Sequence, residues 1–288
     1  MHYLYLSLFL VLLLGTELIA QKAGDSPQHS LNAVFEKGNL MAALSGQGWR
    51  PGLNLAAAHL SVGQTISLNI TLRKGIDYVF IASGPSEQTD VDLYLRDVAG
   101  KVLAEDQQDD GTPVVEFTAP ANGTFQLQLH LAAGETPEAY VALSLLRRRG
   151  RQISEQNFRR VSSGFFGAAK EIRSSVNGTD WQKKAGEWCL FGYVVRKKEG
   201  VTLRGLRPAL GENIFAAATG PKPSKITLYL ATEAGRIVAG TEGPTAYPVL
   251  KYNSLPGAAL DLRVEAKRFK RSKRSRLPAL VLIGVFHH

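Results

Sequence analysis

"TDVDLYLRDVAGKVLAED", residues 89–106, has a counterpart in "SKITLYLATEAGRIVAGT", residues 224–241. Both stretches contain an apolar "LYL" followed by a glycine at the same offset, Gly100 in one and Gly235 in the other. "KVLA" then matches "RIVA", but the acids of the first stretch are missing from the second. Self-similarity of this kind predicts an internal duplication in which one copy has lost its carboxylates.

Further matches surround this stretch in both copies. Glycines bracket residues 75–84 and 211–220 at identical spacing, and a proline follows each second glycine. Near the ends of the copies, "TPEAYVALSLL" at 136–146 parallels "LPALVLIGVF" at 277–286. Because these matches occur in the same order, the repeat covers most of the chain.

Within each copy the apolar residues follow a period of two. Ile66, Leu68, Ile70 and Leu72 alternate with polar residues, as do the apolar residues of 125–131. This alternation is typical of half-buried strands, and turn sequences such as "DDGTP", "PANGT" and "LPGAA" separate them. The sequence therefore predicts an all-β protein with two tandem antiparallel β-sandwich domains.

Composition shifts suggest where the segments begin and end. An apolar run at 4–15 is too short to span a membrane comfortably and predicts a secretory signal, with an uncleaved N-terminal anchor as the alternative. We thus expect an extracellular or periplasmic protein with no membrane span in the mature chain. The predicted segments are a signal peptide at 1–20, an N-terminal segment at 21–44, a first sandwich at 45–147, a basic linker at 148–174 with one short helix near "FFGAAKEI", and a second, divergent sandwich at 175–288 that carries a basic loop at 267–276.

The first copy resembles a known family, the bacterial pre-peptidase C-terminal (PPC) domain. The resemblance rests on Gly75, Tyr78, Phe80, Asp90, Asp92, Leu93, Tyr94, Gly123 and Phe125. It implies a noncatalytic, jelly-roll-like accessory module that binds extracellular substrate or matrix, and some members of the family bind calcium. The second copy departs from the pattern, since Lys225 and Thr227 stand near the places of Asp90 and Asp92.

The acids of the first copy form a candidate calcium site. Asp90 and Asp92 are two residues apart on a predicted strand, and "EDQQDD" at 105–110 adds Asp109 and Asp110 in a nearby turn. Several hard oxygen donors brought together repel one another unless a cation neutralises them, and calcium takes six to eight such ligands. The alternative is a solvated acidic strand end whose aspartates cap turns.

Charge is divided unevenly along the chain. Residues 45–146 hold five basic and twelve acidic side chains, whereas residues 147–288 hold 27 and ten. The excess concentrates in "RRRGR" at 147–151 and in the loop at 267–276, where the candidate polyanion-binding residues are Lys267, Arg268, Lys270, Arg271, Lys273, Arg274 and Arg276.

This basic loop leaves three interpretations open. It could bind an extracellular polysaccharide, a matrix protein or another surface polyanion through salt-sensitive contacts. It could instead be a solvated loop, or it could dock onto the acidic first sandwich of the same or a neighbouring chain, which would give self-association. No stacking platform or helix-turn-helix pattern accompanies it, so base-specific nucleic-acid recognition is not indicated.

Catalytic motifs are missing from the sequence. It contains no HExxH, GxSxG, P-loop or Cys/His metal spacing, which predicts a noncatalytic protein, with a secreted hydrolase as the weaker alternative. His59 and His130 are interpreted as surface histidines, and Cys189, in the apolar "EWCLFG", as a buried, inert thiol. Calcium is therefore the one cofactor that the residues suggest.

Overall fold

The computed structural model describes residues 26–195, 200–220, 225–268 and 279–288. The predicted signal at 1–20 lies outside these residues. The first half of the chain forms α1 (Gln28–Ser45), β1 (Gln47–Trp49), β2 (Gly52–Ser61), β3 (Thr65–Leu72), β4 (Asp77–Ser83), β5 (Asp90–Arg96), β6 (Val102–Asp106), β7 (Val114–Thr118), β8 (Gly123–Ala133) and β9 (Glu138–Arg148).

The second half repeats this order. It forms α2 (Glu155–Ser175), β10 (Asp180–Trp181), β11 (Leu190–Val195), β12 (Val201–Leu206), β13 (Gly211–Thr219), β14 (Lys225–Thr232), β15 (Ile237–Gly240), β16 (Val249–Ser254), β17 (Leu260–Arg268) and β18 (Ala279–His287). Each half thus consists of a helix, a short strand and eight further strands.

The strands of each half form an antiparallel jelly roll. In the first half β2-β9-β4-β7 faces β3-β8-β5-β6, and in the second half β11-β18-β13-β16 faces β12-β17-β14-β15. Eight strands in two sheets of this order make a jelly roll, and the order is the same in both halves. The predicted all-β sandwich class is confirmed.

The two jelly rolls share one sheet. β2 pairs with β11 in antiparallel fashion, so the inner sheets of the two halves join into a single ten-stranded sheet that also includes β1 and β10. In this pairing Leu55 lies opposite Gly192, Ala57 lies opposite Leu190, and Ala56 lies opposite Phe191. A pseudo-twofold axis therefore passes through the Ala56–Phe191 pair, and it relates each nearby residue of β2 to its equivalent in β11.

Strand pairing also corrects the alignment of the two copies. Counting from the matched glycines equates Phe80 with Ala216. In the structure Phe80 lies opposite Val115 and Phe215 lies opposite Leu250, and these partners follow Pro113 and Pro248 by two residues each. Phe80 is therefore equivalent to Phe215. Ala56 and Phe191 are separated by the same number of residues, so Gly75 and Gly211 are not equivalent positions.

Each face of the ten-stranded sheet is covered by a different layer. One face, with Ala56, Phe80 and Phe215, packs against the two four-stranded sheets in a continuous buried cluster. The opposite face, with Leu55, Val79, Leu190 and neighbouring residues, packs against the helices. Since both four-stranded sheets cover the same face, their outer surfaces lie on the same side of the molecule.

The helices are more extensive than the sequence predicts. The segment 148–174 was expected to be a basic linker with one short helix, but α2 occupies Glu155–Ser175, with Ser154 accepting the Asn157 N–H as N-cap. Its apolar side chains, Phe158, Val161, Phe165, Ala169 and Ile172, are buried. These residues recur every three to four positions, so α2 is held by packing on the sheet and belongs to the repeated unit.

Candidate functional site

The four predicted calcium ligands lie at one end of the first sandwich. Asp90 is the first residue of β5, and Asp92 lies two residues further along the same strand. Asp109 and Asp110 lie in the turn between β6 and β7. Burial raises the pKa of Asp90, and the charges of Asp92, Asp109 and Asp110 raise it further, while His130 lowers it. The fold therefore brings all four residues into electrostatic contact, and one Asp90 oxygen, Oδ1, is buried with no hydrogen-bond partner among the residues that the structure describes.

Carboxylates at this end, including two of the four predicted ligands, already accept hydrogen bonds from the chain. Asp106 Oδ2 accepts the Val114 N–H at 2.8 Å, and Asp110 Oδ1 accepts the Thr112 N–H at 2.8 Å, as expected of turn-capping aspartates. Asp92 Oδ2 accepts the Tyr94 hydroxyl at 3.1 Å. In the described part of the chain no three His, Cys, Asp or Glu side chains are grouped in a way that could hold a metal ion. Calcium binding stays a prediction.

Replacing Asp90 with asparagine is expected to stabilise the protein at neutral pH in calcium-free buffer. A carboxyl whose pKa is raised by folding contributes its full stability only below its unfolded pKa, and that contribution is lost as the pH rises through the folded pKa. The variant escapes this loss, so we expect a small gain in stability at pH 7, less than about 1 kcal/mol because solvent screens these charges.

Urea denaturation at several pH values measures this effect. The difference between Asp90→Asn and the wild-type protein should shrink as the pH falls toward the carboxyl range. A variant less stable than wild type at pH 7, with the deficit growing when calcium is added, would contradict this expectation and indicate that the carboxylate holds a cation.

The predicted polyanion-binding loop lies mostly beyond the described residues. Lys267 and Arg268 end β17, while Lys270, Arg271, Lys273, Arg274 and Arg276 are outside the described residues. β17 itself is described, and it connects this loop to the outer surface of the second four-stranded sheet.

The outer surfaces of the two four-stranded sheets carry equivalent tyrosines in different surroundings. On the first face, defined as the outer surface of β3-β8-β5-β6, Tyr94 lies between Gln128 and Glu105 on the neighbouring strands. Arg96 stands 5.3 Å from the Tyr94 ring centroid and donates from Nε to Gln128 Oε1 at 2.8 Å. This arginine is therefore already engaged within the face.

On the second face, the outer surface of β12-β17-β14-β15, Tyr229 takes the place of Tyr94. Its strand neighbours are Arg263 and Gly240. A Cβ atom at Gly240 would lie 2.8 Å from Tyr229 Cδ1, so the phenol ring covers the glycine. Glycine at this position lets the ring lie against the sheet.

Basic side chains surround this ring. Arg263 extends toward the β14–β15 hairpin, where its Nη2 lies 3.5 Å from the position of a Cβ on Gly235. Arg204 and Arg236 are exposed on β12 and at the hairpin, and Lys225 is exposed at the start of β14. Two acids of β17 lie on the same side: Glu265, opposite Thr227, and Asp261, which accepts the Gly205 N–H at 3.2 Å. The second face is thus an aromatic surface with an excess of cations, beside the strand that leads into the basic loop.

Sequence reasoning missed the second face. The "LYL" motif places Tyr229 on a strand, but the neighbours of the ring follow from the pairing of β14 with β15 and β17. The signal that could have revealed it is the substitution of Glu105 by Gly240 and of Gln128 by Arg263 once the strands are aligned.

The structure gives different outcomes for the predictions on His59, His130 and Cys189. His59 is not a surface residue: its side chain is 9% exposed, it packs edge-on against Tyr140 at 4.8 Å, and burial lowers its pKa. His130 lies on the first face with Nδ1 3.1 Å from Thr65 Oγ1. Cys189 is fully buried, as predicted, and burial raises the pKa of its thiol.

Comparison with known proteins gives no family. No family model and no curated protein sequence matches the chain. Within the residues that the structure describes, none of the helices has the length and apolar character needed to cross a membrane.

Several solved structures overlap the fold at low similarity. A periplasmic inhibitor of g-type lysozyme from Aeromonas hydrophila is 12% identical, with 34% of this chain and 87% of that chain covered and a TM-score of 0.28. The tandem CBM51 modules of a Streptococcus pneumoniae family 98 glycoside hydrolase are 10% identical over 79% of this chain and 82% of that chain, with a TM-score of 0.21. The CBM22 tandem domain of Paenibacillus barcinonensis Xyn10C is 11% identical over 82% and 92%, with a TM-score of 0.20. These overlaps are too low to identify a ligand.

Proposed function

We propose that this chain is a secreted, noncatalytic protein that attaches to an extracellular acidic polysaccharide through the second face and the adjoining loop at 267–276. The single observation that carries the proposal is the placement of the Tyr229 ring over Gly240 beside Arg263. The predicted signal at 1–20 and the PPC resemblance of the first copy are consistent with secretion and with an accessory role.

The chemistry of the second face suits a charged sugar polymer. A tyrosine ring provides a flat apolar surface with a polar tip, on which a sugar ring can pack. Arginine binds carboxylate and sulfate groups through two parallel N–H donors, which fixes their orientation as well as their charge. An extended sheet surface with cations on β12, on β17 and at the hairpin can contact several successive charged units.

The first face provides a built-in control. It has the same fold and the same tyrosine, but Tyr94 lies beside Glu105, and Arg96 is bonded to Gln128. A polyanion would meet a carboxylate there instead of a free guanidinium. We therefore expect binding on the second face and not on the first.

Retention on immobilised heparin across a salt gradient tests the proposal, with a neutral dextran resin beside it. We expect the wild-type protein to bind heparin at physiological salt and to elute as salt rises, because phosphate- or sulfate-type contacts release counterions. Tyr229→Ala and Arg263→Gln should each weaken affinity about tenfold, the effect of losing one good contact to a charged group.

Tyr94→Ala is the matched control for this experiment. It removes the equivalent ring from the first face and should elute with the wild-type protein. Equal elution of all four proteins, or an equal shift for Tyr94→Ala and Tyr229→Ala, would overturn the proposal.

Self-association is the second candidate, favoured by the opposite charge of the two copies. The acidic end of one molecule could pair with the basic surface of another. Sedimentation velocity at low and high salt separates the candidates. Polysaccharide binding without self-association predicts a monomer at both salt concentrations, whereas assembly predicts larger species that dissociate as salt rises.

A further inference from the structure

One end of the first sandwich collects basic residues from three separate segments. Arg50 follows β1, Arg73 and Lys74 follow β3, and Arg147–Arg149 lie at the end of β9. Arg50 holds the first two segments together, because its Nη1 donates to the Thr71 carbonyl at 3.2 Å. Three of the five basic residues of 45–146 thus meet the arginines of the "RRRGR" sequence at this end, which we call the arginine end.

Two of these arginines are drawn into the sandwich. Arg147 continues the inward-facing series of Val141, Leu143 and Leu145 along β9 and pairs across the strands with Tyr78. Its Nε atom is buried and has no hydrogen-bond partner among the described residues. A buried guanidinium N–H without an acceptor is costly, so an acceptor other than the described residues would stabilise it.

Arg50 lies beside Arg147 in the same environment. Burial lowers the pKa of Arg50, the charge of Arg147 lowers it further, and the phenols of Tyr78 and Tyr193 raise it. Its Nε donates to the Leu53 carbonyl at 3.1 Å. Arg50 forms no ion pair with a carboxylate among the described residues, so two like charges lie close together at this end of the core without a counterion from that part of the chain.

An open cleft lies at the arginine end. It measures about 230 Å³ and is lined by Gly75, Ile76, Arg148 and Arg149. Arg149 has φ of 55°, and among the described residues it is the non-glycine residue with positive φ. Arg148 forms an ion pair with Asp77 at 3.2 Å at the edge of the cleft. A side chain held in the left-handed region costs free energy, and such residues concentrate at ligand sites.

The second copy does not keep these residues. Strand pairing equates Trp49 with Trp181 and Tyr78 with Asn213, so Arg50 corresponds to Gln182. By the same pairing Arg147 corresponds to His287, whose Nε2 lies 2.9 Å from the Leu210 carbonyl. The arginine pair is thus confined to the copy whose net charge is acidic, although the fold does not require arginine at these positions.

We propose that the arginine end is a binding site for an oxyanion, a carboxylate, sulfate or phosphate group. Arg50 and Arg147 supply the buried donors, and Arg148 and Arg149 line the entrance. Such a group replaces the missing acceptor of Arg147 Nε and neutralises the facing guanidinium groups, which is the recognition that arginine provides best. The site is separate from the second face and does not depend on polysaccharide binding there.

Thermal unfolding with added sulfate or phosphate tests this site, with sodium chloride at matched ionic strength as the reference. A ligand that binds only the folded state raises the melting temperature as its concentration rises. We expect the wild-type protein to melt higher in sulfate or phosphate than in chloride. The double variant Arg50→Gln, Arg147→His, which inserts the residues of the second copy, should lose this difference.

Arg149→Gly is the variant that guards against misfolding. Glycine accepts the positive φ without strain, so the fold is kept while one entrance guanidinium is removed. We expect an unchanged or higher melting temperature in chloride and an apparent anion affinity about tenfold weaker. Arg236→Gln, on the second face, is the matched control and should keep the full response.

Calorimetric titration of the full chain with inorganic sulfate and with a heparin-derived disaccharide distinguishes a free ion from a sugar-borne group. Binding of either that is lost in the double variant supports the site. An equal response to sulfate, phosphate and chloride in the wild-type protein would overturn it, as would a full response in the double variant. The outcome is independent of heparin retention by Tyr229 and Arg263.

Discussion

Gly192→Val is expected to lower the free energy of unfolding by about 3 kcal/mol or more, since overpacking at a fixed backbone contact forces strands apart. Gly192 lies in β11 at the pairing with β2 that joins the two jelly rolls. A Cβ atom there would stand 2.7 Å from Leu55 Cβ and 3.2 Å from Leu282 Cδ2. Leu55 Cβ is fixed by its own backbone, so the clash cannot be relieved by rotating a side chain.

Guanidinium denaturation monitored by tryptophan fluorescence measures the loss. Gly192→Ala should have a smaller effect in the same direction. Gly167→Ala is the matched control, because this glycine lies in α2 with no atom within 4 Å of a Cβ, and alanine should stabilise the helix by about 0.5–1 kcal/mol. If Gly192→Val unfolds at the wild-type midpoint, the shared sheet is not a tightly packed junction.

Phe35→Ala is expected to cost about 3–5 kcal/mol, the usual loss for truncating a fully buried phenylalanine. The Phe35 ring stacks on Trp49 at 5.2 Å and on Phe158 at 3.6 Å, and its side chain is fully buried. It thereby joins α1 to the short strand that follows it and to α2. The cavity left by the alanine would loosen both helices from the sheet.

Hydrogen exchange of the α1 and α2 amides, together with the denaturation midpoint, measures this change. Leu44→Ala is the control on the same helix, since Leu44 is 75% exposed and its removal should change stability by less than about 0.5 kcal/mol. Equal stability of the two variants would show that the helices do not depend on the Phe35 contacts.

The β-sandwich class could be predicted from the sequence because its signals are local. The alternation of Ile66, Leu68, Ile70 and Leu72 and the repeated "LYL" stretch depend on neighbouring residues alone. The pairing of β2 with β11 could not be predicted, because backbone hydrogen bonds between distant strands leave no pattern in the sequence. The sequence "LNLAAAHL" at 53–60 predicts a buried strand but does not indicate which strand pairs with it.

The sequence carries a signal for both helices, but the prediction missed α1 and most of α2. Leu31, Val34, Phe35 and Gly38 recur at helical spacing, and so do the buried residues of α2. The polar, basic and Gly/Ser-rich composition of 148–174 favoured a linker, yet an amphipathic helix that packs on a sheet needs only one apolar side. Composition therefore outweighed periodicity in that segment.

The candidate sites also differ in whether the sequence alone could reveal them. Asp90, Asp92, Asp109 and Asp110 are close in sequence, and their proximity follows from one strand and one turn. The ring of Tyr229 beside Arg263 depends on which strands lie on either side of β14, and the arginine end depends on three segments meeting. Long-range register determines both arrangements, so they become visible only in the folded chain.

Hydroxyl-radical footprinting of Tyr229 and Tyr94 in the presence of a heparin-derived oligosaccharide tests the proposed function most directly. The two rings occupy equivalent positions, so each is the reference for the other within one sample. Binding on the second face predicts that oxidation of Tyr229 falls as the oligosaccharide is added while that of Tyr94 is unchanged. Protection of Tyr94 alone, or of neither ring at saturating oligosaccharide, would contradict the account.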